Sequence, residues 1–156
     1  MGTVSHKIVE VSVKTIQDFN KGLLEKHWEE LASNKELIKL NPDWDKYYTF
    51  EKLGVIKSLA VFVEDKMVGY SCVILQPHLH YSDDLYAFVD VVYVDPEYRM
   101  SGVGLKLLNA IENQAKEAGA SIIIHHVKTN HMTLGNILET LGYKQFEINY
   151  SKKLKE

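Results

Sequence analysis

Cysteine is nearly absent from the chain: Cys72 is the only one in 156 residues, which excludes a framework of intrachain disulfides. A chain of this length needs none, because its core can bury roughly two thirds of the unfolded surface. Long apolar runs are missing as well. Nothing approaches the ~20 consecutive apolar residues of a membrane-spanning helix. The opening MGTVSHKIVE lacks the basic-then-apolar order of a secretory signal. The expectation is therefore a cytoplasmic protein with no membrane partner. Nor is there an excess of basic charge, since 18 Lys and Arg face 21 Asp and Glu for a formal net charge of -3. A nucleic-acid partner, whose phosphates demand a basic face, is excluded on that ground. Repeats, linkers and low-complexity segments are also lacking. What remains is a composition of 46% hydrophobic and 25% charged residues, that of one ordinary globular domain.

Hydrophobic periodicity divides the chain. Val9, Val11 and Val13 alternate with polar residues, predicting a strand over about 7–14. Ile16, Phe19, Leu23, Leu24 and Leu31 recur at helical spacing and predict one amphipathic helix. Ser33-Asn34-Lys35-Glu36 reads as a capping box opening a short helix through Leu40, and Asn41-Pro42 as the start of another carrying Trp44, Tyr47 and Tyr48. The period then changes to that of strands at 59–63 and 68–75, a hairpin. A polar loop with Pro77, His78, His80, Asp83 and Asp84 leads to a strand from Leu85 to Val94 that stops at Asp95-Pro96. Val103, Leu107, Leu108, Ile111, Ala115 and Ala118 form one helical stripe ending at Gly119. A strand over 121–127, a helix closed by Gly142 and a terminal strand through Phe146, Ile148 and Tyr150 complete the pattern. A hairpin-built part joined to a strand-helix-strand crossover predicts an α/β chain with a mixed, mostly antiparallel sheet.

The stretch Val94-Asp95-Pro96-Glu97-Tyr98-Arg99-Met100-Ser101-Gly102-Val103-Gly104-Leu105 puts a glycine-containing turn between a strand and the mouth of a helix. The first amides of a helix have no intrahelical partner and lie at the positive end of its dipole, so such a turn suits an anion. Gly102 and Gly104 present no Cβ to hold a phosphate away from the backbone. Two other phosphate loops fail the test. Gly104 is followed by Leu105-Lys106, not the Lys-Ser/Thr of a P-loop, and Leu107 stands where a dinucleotide fingerprint needs its third small residue. The remaining alternative is a plain strand-to-helix turn.

This segment resembles the signature of the GNAT family of N-acetyltransferases, Arg/Gln-x-x-Gly-x-Gly/Ala at a helix start after a Val-Asp-Pro-Glu-Tyr phrase. The likeness extends to Val68-Gly69 in the hairpin, to Thr129-Asn130, and to Leu138-Glu139-Thr140-Leu141-Gly142-Tyr143. It covers essentially the whole chain, with residues 15–57 matching in position only. The resemblance implies a GNAT-like acyl-CoA N-acyltransferase fold in a single domain, 1–156, with acceptor-side helices at about 15–57 and an acetyl-coenzyme A core at about 58–156. It implies an acyltransferase, of the class transferring groups other than amino-acyl groups. Acetyl-coenzyme A would be its co-substrate, an amine of a small molecule or protein its acceptor, and no metal would take part. It leaves room for a homodimer. A non-catalytic acyl-coenzyme A-binding or regulatory module of the same fold is the alternative.

Carried over by residue, the resemblance puts the pyrophosphate on the amides of Arg99, Met100, Ser101, Gly102, Val103 and Gly104, with Leu105 close by. The pantetheine arm would lie on Val92 and Val94, with the Val92 amide as oxyanion donor. Asn130 would contact cofactor or acceptor, its other reading being a helix N-cap. The base that some members carry on this strand would be Asp90, expected by alternation to share a face with Phe88, Val92 and Val94; histone-type members carry theirs where Phe88 stands. Asp83 and Asp84 are alternatives. The Tyr that serves many members as general acid is replaced by Leu138, which leaves Tyr143, Tyr98, His131 or water to protonate the sulfur. Cys72 reads as a small core residue rather than a nucleophile, and His78 with His80, and His125 with His126, as residues outside any metal site. Trp28, Trp44, Tyr47 and Tyr48 are expected to pack the helical layer, with one or two walling the acceptor groove.

The charge is unevenly spread. Residues 1–90 carry 10 basic and 14 acidic side chains, and residues 91–156 carry 8 and 7. Glu25, Glu29, Glu30, Glu36, Asp43, Asp45, Asp83 and Asp84 lie in the first part, which hints at a cationic acceptor.

Overall fold

The computed structural model describes residues 5–155. The ends of the expected domain, residues 1–4 and 156, lie outside the described residues. Five strands build one sheet: β1 (Lys7–Val11), β2 (Ile56–Val63), β3 (Lys66–His78), β4 (Tyr81–Val94) and β5 (Ile122–His125), side by side in that order. The first four are antiparallel, and β5 joins β4 in parallel. The expected mixed sheet is what forms. Helices α1 (Val13–Phe19), α2 (Leu23–Leu31) and α3 (Trp44–Lys52) cover one face, and α4 (Val103–Glu117) and α5 (Thr133–Thr140) the other. No helix of the described residues is long and apolar enough to cross a membrane.

The α4 stripe explains its docking. Val103, Leu107 and Ile111 are fully buried against Val61, Val73 and Val89, and each such Leu or Ile contributes about 1.5–3 kcal/mol by leaving water. On the other face Ile16, Leu23, Met67, Tyr70 and Tyr93 form one cluster, and Val13, Ile56 and Cys72 pack with Trp44, Tyr47 and Tyr48 in another. In the middle of the sheet Gly69 allows β3 and β4 to approach closely, since a Cβ there would sit 2.9 Å from the Tyr93 carbonyl.

Several expected elements take other forms. β1 ends at Val11, because the Ser12 hydroxyl accepts from the Thr15 amide and starts α1 at Val13. The single helix over Ile16 to Leu31 is two, broken at Asn20-Lys21-Gly22, where Lys21 and Gly22 take φ of 38° and 87°. The capping box at Ser33 opens no helix: Asn34 sits at φ 57°, and its carbonyl closes a turn onto the amides of Leu37 and Ile38. Asp43, not Asn41, caps α3 by accepting from the Lys46 amide at 3.0 Å. The polar loop at 77–84 is mostly strand, with the His78 ring packed 4.8 Å from Tyr81 and 5.3 Å from Tyr86 across the hairpin. β5 is four residues long, and residues 143–155 form no strand, leaving Phe146, Ile148 and Tyr150 exposed.

Candidate active site

The site begins with an irregularity in β4. Cys72 of β3 pairs with Val91 and the next residue, Val73, with Val89, so Asp90 is an extra residue in a bulge. The faces exchange there. Val89 and Val92 both pack on the α4 side, and Val91 packs on the side of α1–α3. Asp90 therefore does not share a face with Val92 and Val94, as plain alternation predicts. It stays on the side of Phe88, whose β3 partner Ile74 packs under α3. Its exposed carboxylate accepts from the Tyr47 hydroxyl at 3.2 Å. Burial, and then the Asp90 charge, raise the Tyr47 pKa, so the phenol keeps its proton and donates.

Beyond the bulge β4 has an open edge. The Asp95 amide donates to the Val68 carbonyl at 2.8 Å, which sets the phase of the β3–β4 ladder. Paired and unpaired positions alternate, so Val92 opposite Ser71 and Val94 opposite Gly69 point their amides and carbonyls away from β3. β5 accompanies β4 only from Tyr86 to Val89. The backbone of Val92 and Val94 thus faces the gap where the two strands part. Arg99 Nε takes the Val94 carbonyl at 2.8 Å.

The turn after β4 is a 3-10 helix, Pro96–Ser101, opened by Asp95, whose carboxylate accepts from the Glu97 amide. It runs into Gly102 at φ 77°, the left-handed conformation glycine adopts without strain. α4 then starts at Val103, so the amides of Val103, Gly104 and Leu105 make up its unpartnered first turn. Among the described residues a Cβ built on Gly102 or Gly104 meets nothing within 4 Å, so they leave an anion room to approach the backbone. Met100 is exposed, as is Leu105, and the Ser101 hydroxyl donates back to the Tyr98 carbonyl at 2.7 Å.

On the α1–α3 face lies a cleft of about 470 Å³. Its walls include Leu24, Trp28, Leu31, Ile38, Trp44 and Tyr47, and its floor Ser58, Tyr70, Cys72 and Val91 of the sheet. The aromatic residues expected at an acceptor groove are here, apart from Tyr48, whose hydroxyl donates to Gln17. The carboxylates that hinted at a cationic acceptor are not: none of the eight lines the cleft, and Glu29, Glu30 and Glu36 are paired with Lys35, Arg99 and Lys153. Val91 joins the two halves of the site, because it lines the cleft while the amide of the following residue faces the open edge.

Helix α2 is fastened to this machinery by contacts that sequence reasoning missed. Glu30 accepts from both terminal nitrogens of Arg99 and from the Tyr93 hydroxyl. The Arg99 guanidinium holds the Glu30 carboxyl below its ordinary value. Lys26 donates to the buried Asp95 at 2.7 Å. His27 stacks on Tyr93 with centroids 4.5 Å apart and hydrogen-bonds Tyr70 at 2.5 Å. Burial lowers its pKa to about 4, so its ring is neutral at physiological pH. These links join residues 43 to 69 positions apart, and no local pattern signals them.

The remaining expected residues are scattered. Asn130 is exposed in the turn after β5 and does not cap α5, whose first turn follows Met132. Leu138 is buried in the α4-side core. Of the substitutes for an acid, Tyr143 donates to Glu112 at 3.1 Å with its pKa raised by burial, and Tyr98 lies under Lys66. Cys72 is buried, with its thiol pushed up to about 12 by burial. Asp84 accepts from Ser121, tying the start of β4 to that of β5.

The sequence from residue 21 to residue 143 matches the model of the Acetyltransferase (GNAT) family. No curated protein matches the chain in sequence. Among solved structures it is similar to an aminoglycoside acetyltransferase from an uncultured soil metagenomic sample, in complex with trehalose. Identity is 15%, 96% of this chain and 97% of that one are covered, and the TM-score is 0.74. Glucosamine-6-phosphate N-acetyltransferase from Arabidopsis thaliana superposes with a TM-score of 0.71 at 17% identity, over 97% and 99% of the two chains. Ribosomal-protein-alanine N-acetyltransferase from Brucella melitensis biovar Abortus 2308 gives 0.68 at 15% identity, over 96% and 100%. At such identities the likeness is one of fold.

Proposed function

The chain belongs to the acetyltransferase (GNAT) family, and from that premise we propose that it transfers an acetyl group from acetyl-coenzyme A to a primary amine by direct attack in a ternary complex. The co-substrate supplies an activated thioester and a leaving thiolate. The chain's part is to hold and orient. The amides of Arg99, Met100, Ser101, Gly102, Val103 and Gly104, with Leu105 beside them, take the pyrophosphate, and the open space over Gly102 and Gly104 supports this. The outward backbone of Val92 and Val94 takes the pantetheine arm, and Asn130 a polar contact. Asp90, oriented by Tyr47, receives or steers the amine's proton. The observation that carries the reading is the junction at Val91–Val92, where a cleft on one face and an open strand edge meet at adjacent residues.

We read the whole chain as one such domain, working in the cytoplasm without metal, membrane or nucleic acid, alone or as a homodimer. The test is release of free thiol from acetyl-coenzyme A in the presence of an amine panel. Asp90→Asn should lower kcat by about 10²-fold, the usual worth of a positioned base, with the acetyl-coenzyme A KM unchanged. Absence of any stabilisation by acetyl-coenzyme A would overturn the assignment. The buried Leu138 favours a second reading, a non-catalytic acyl-coenzyme A-binding module. That reading requires thermal stabilisation by the cofactor and no thiol release with any amine.

A further inference from the structure

The composition of the cleft narrows the acceptor, an inference that rests on the acetyl-transfer reading of the same site. We infer that the acceptor is a hydrophobic monoamine, with its nitrogen on an aryl-sized or branched apolar body, and not a polycation such as an aminoglycoside or polyamine.

Two observations carry this. First, the walls are apolar and aromatic: Leu24, Trp28, Leu31, Ile38, Trp44 and Val91 surround a volume of about 470 Å³, the size that takes a small organic body. Second, the charge has the wrong sign for a polycation. Of the described residues no Asp or Glu lines the cleft, whereas Lys39 and Lys128 do. Among the described residues neither lysine is in an ion pair; Lys39 donates to the Lys35 carbonyl and Lys128 to the Ser33 hydroxyl. An ammonium entering such a space loses its water, and Asp90, bonded to Tyr47 of the wall, can answer one such charge but not several. A monoamine escapes the penalty by shedding its one proton, which attack on a thioester requires in any case. A polyamine keeps its other charges and meets two lysines.

The experiment measures binding by titration calorimetry without acetyl-coenzyme A, using phenethylamine, spermidine and kanamycin. The expected result is phenethylamine binding at least tenfold tighter than either polycation, weakened at least tenfold in Leu24→Trp, which fills the cleft from α2. Ile38→Trp, at a half-exposed position of the cleft lining, serves if Leu24→Trp does not fold. Acetyl-coenzyme A binding should be unchanged in both. Tighter binding of spermidine or kanamycin, no binding of phenethylamine, or indifference of phenethylamine to both tryptophans overturns the inference. Thiol release, measured in parallel, separates the two readings. No release with any amine defeats the acetyl-transfer reading, and the order of binding still decides which amines the cleft takes.

Discussion

Glu30 of α2 and Arg99 of the turn before α4, 69 residues apart in sequence, are joined by two parallel hydrogen bonds of 2.6 and 2.7 Å. Arg99 also holds the Val94 carbonyl, so one guanidinium connects the acceptor-side helices, the end of β4 and the glycine turn. Arg99→Lys keeps the charge but not the fork or the third bond. The pair is partly exposed, so its loss should cost only about 1 kcal/mol of stability. The larger effect expected is on the turn: acetyl-coenzyme A affinity should fall at least fivefold in both Arg99→Lys and Glu30→Gln. Isothermal titration checks this, and unchanged affinity in both variants would show the link to be structural only.

Gly104 gives a cleaner test of the pyrophosphate site than Gly102. At Gly102, φ 77° makes any side chain strained, so loss of binding there would be mixed with loss of stability. Gly104 is helical, and a Cβ on it touches nothing. Gly104→Leu should raise stability by up to about 1 kcal/mol through helix propensity, while abolishing the thermal shift produced by acetyl-coenzyme A. A variant that melts higher and still responds to the cofactor would remove Gly104 from the site.

The sequence was most legible where local chemistry decides structure. The Val103 to Ala118 stripe, the stop at Asp95-Pro96 and the glycine turn each depend on neighbours a few residues away, and all three appear as expected. The failures that bear on the site and on the last strand arose where a distant partner decides. Alternation assigns Asp90 to the face of Val92, but the register shift opposite Cys72 and Val73 makes Asp90 the extra residue of a bulge in β4. The Phe146–Tyr150 pattern describes a chain able to bury one face, yet a strand also needs a neighbour to bond to, and β5 offers only four residues. The glycine turn was therefore readable from sequence, whereas the Tyr47–Asp90 and Glu30–Arg99 contacts were not.

Cys72 supplies a negative control. It lines the cleft floor, where a thiol invites assignment as an acyl-carrying nucleophile, but burial pushes its pKa to about 12 and leaves almost no thiolate at neutral pH. Ellman's reagent should leave the native protein unlabelled at pH 7.5 and react with one thiol per chain in urea. Cys72→Ala should retain thiol release from acetyl-coenzyme A. Complete loss of turnover in a folded Cys72→Ala protein would contradict direct transfer.

Two buried histidines make stability depend on pH in a definite direction. Burial lowers both His27 and His125 to about 4 from 6.5. His27 faces Glu30, Arg99, Tyr70 and Tyr93, and His125 faces His126, Glu112 and Tyr143. Between these two values the unfolded chain binds protons that the folded chain does not, so stability is fully present above pH 6.5 and falls as the pH drops toward 4. At one pH unit per 1.36 kcal/mol, each histidine should withdraw about 2 kcal/mol by pH 5. Glu30 and Glu112 are held below 4.5 by their cationic partners and add their own loss only at lower pH. Both His125 nitrogens are buried without a hydrogen-bond partner among the described residues, so His125→Phe should leave stability at pH 7.5 unchanged or improved. Urea midpoints at pH 7.5 and 5 check both statements. The wild-type protein should lose about 4 kcal/mol between them and His125→Phe about half of that, and equal losses in the two proteins would show that His125 is not held neutral by burial.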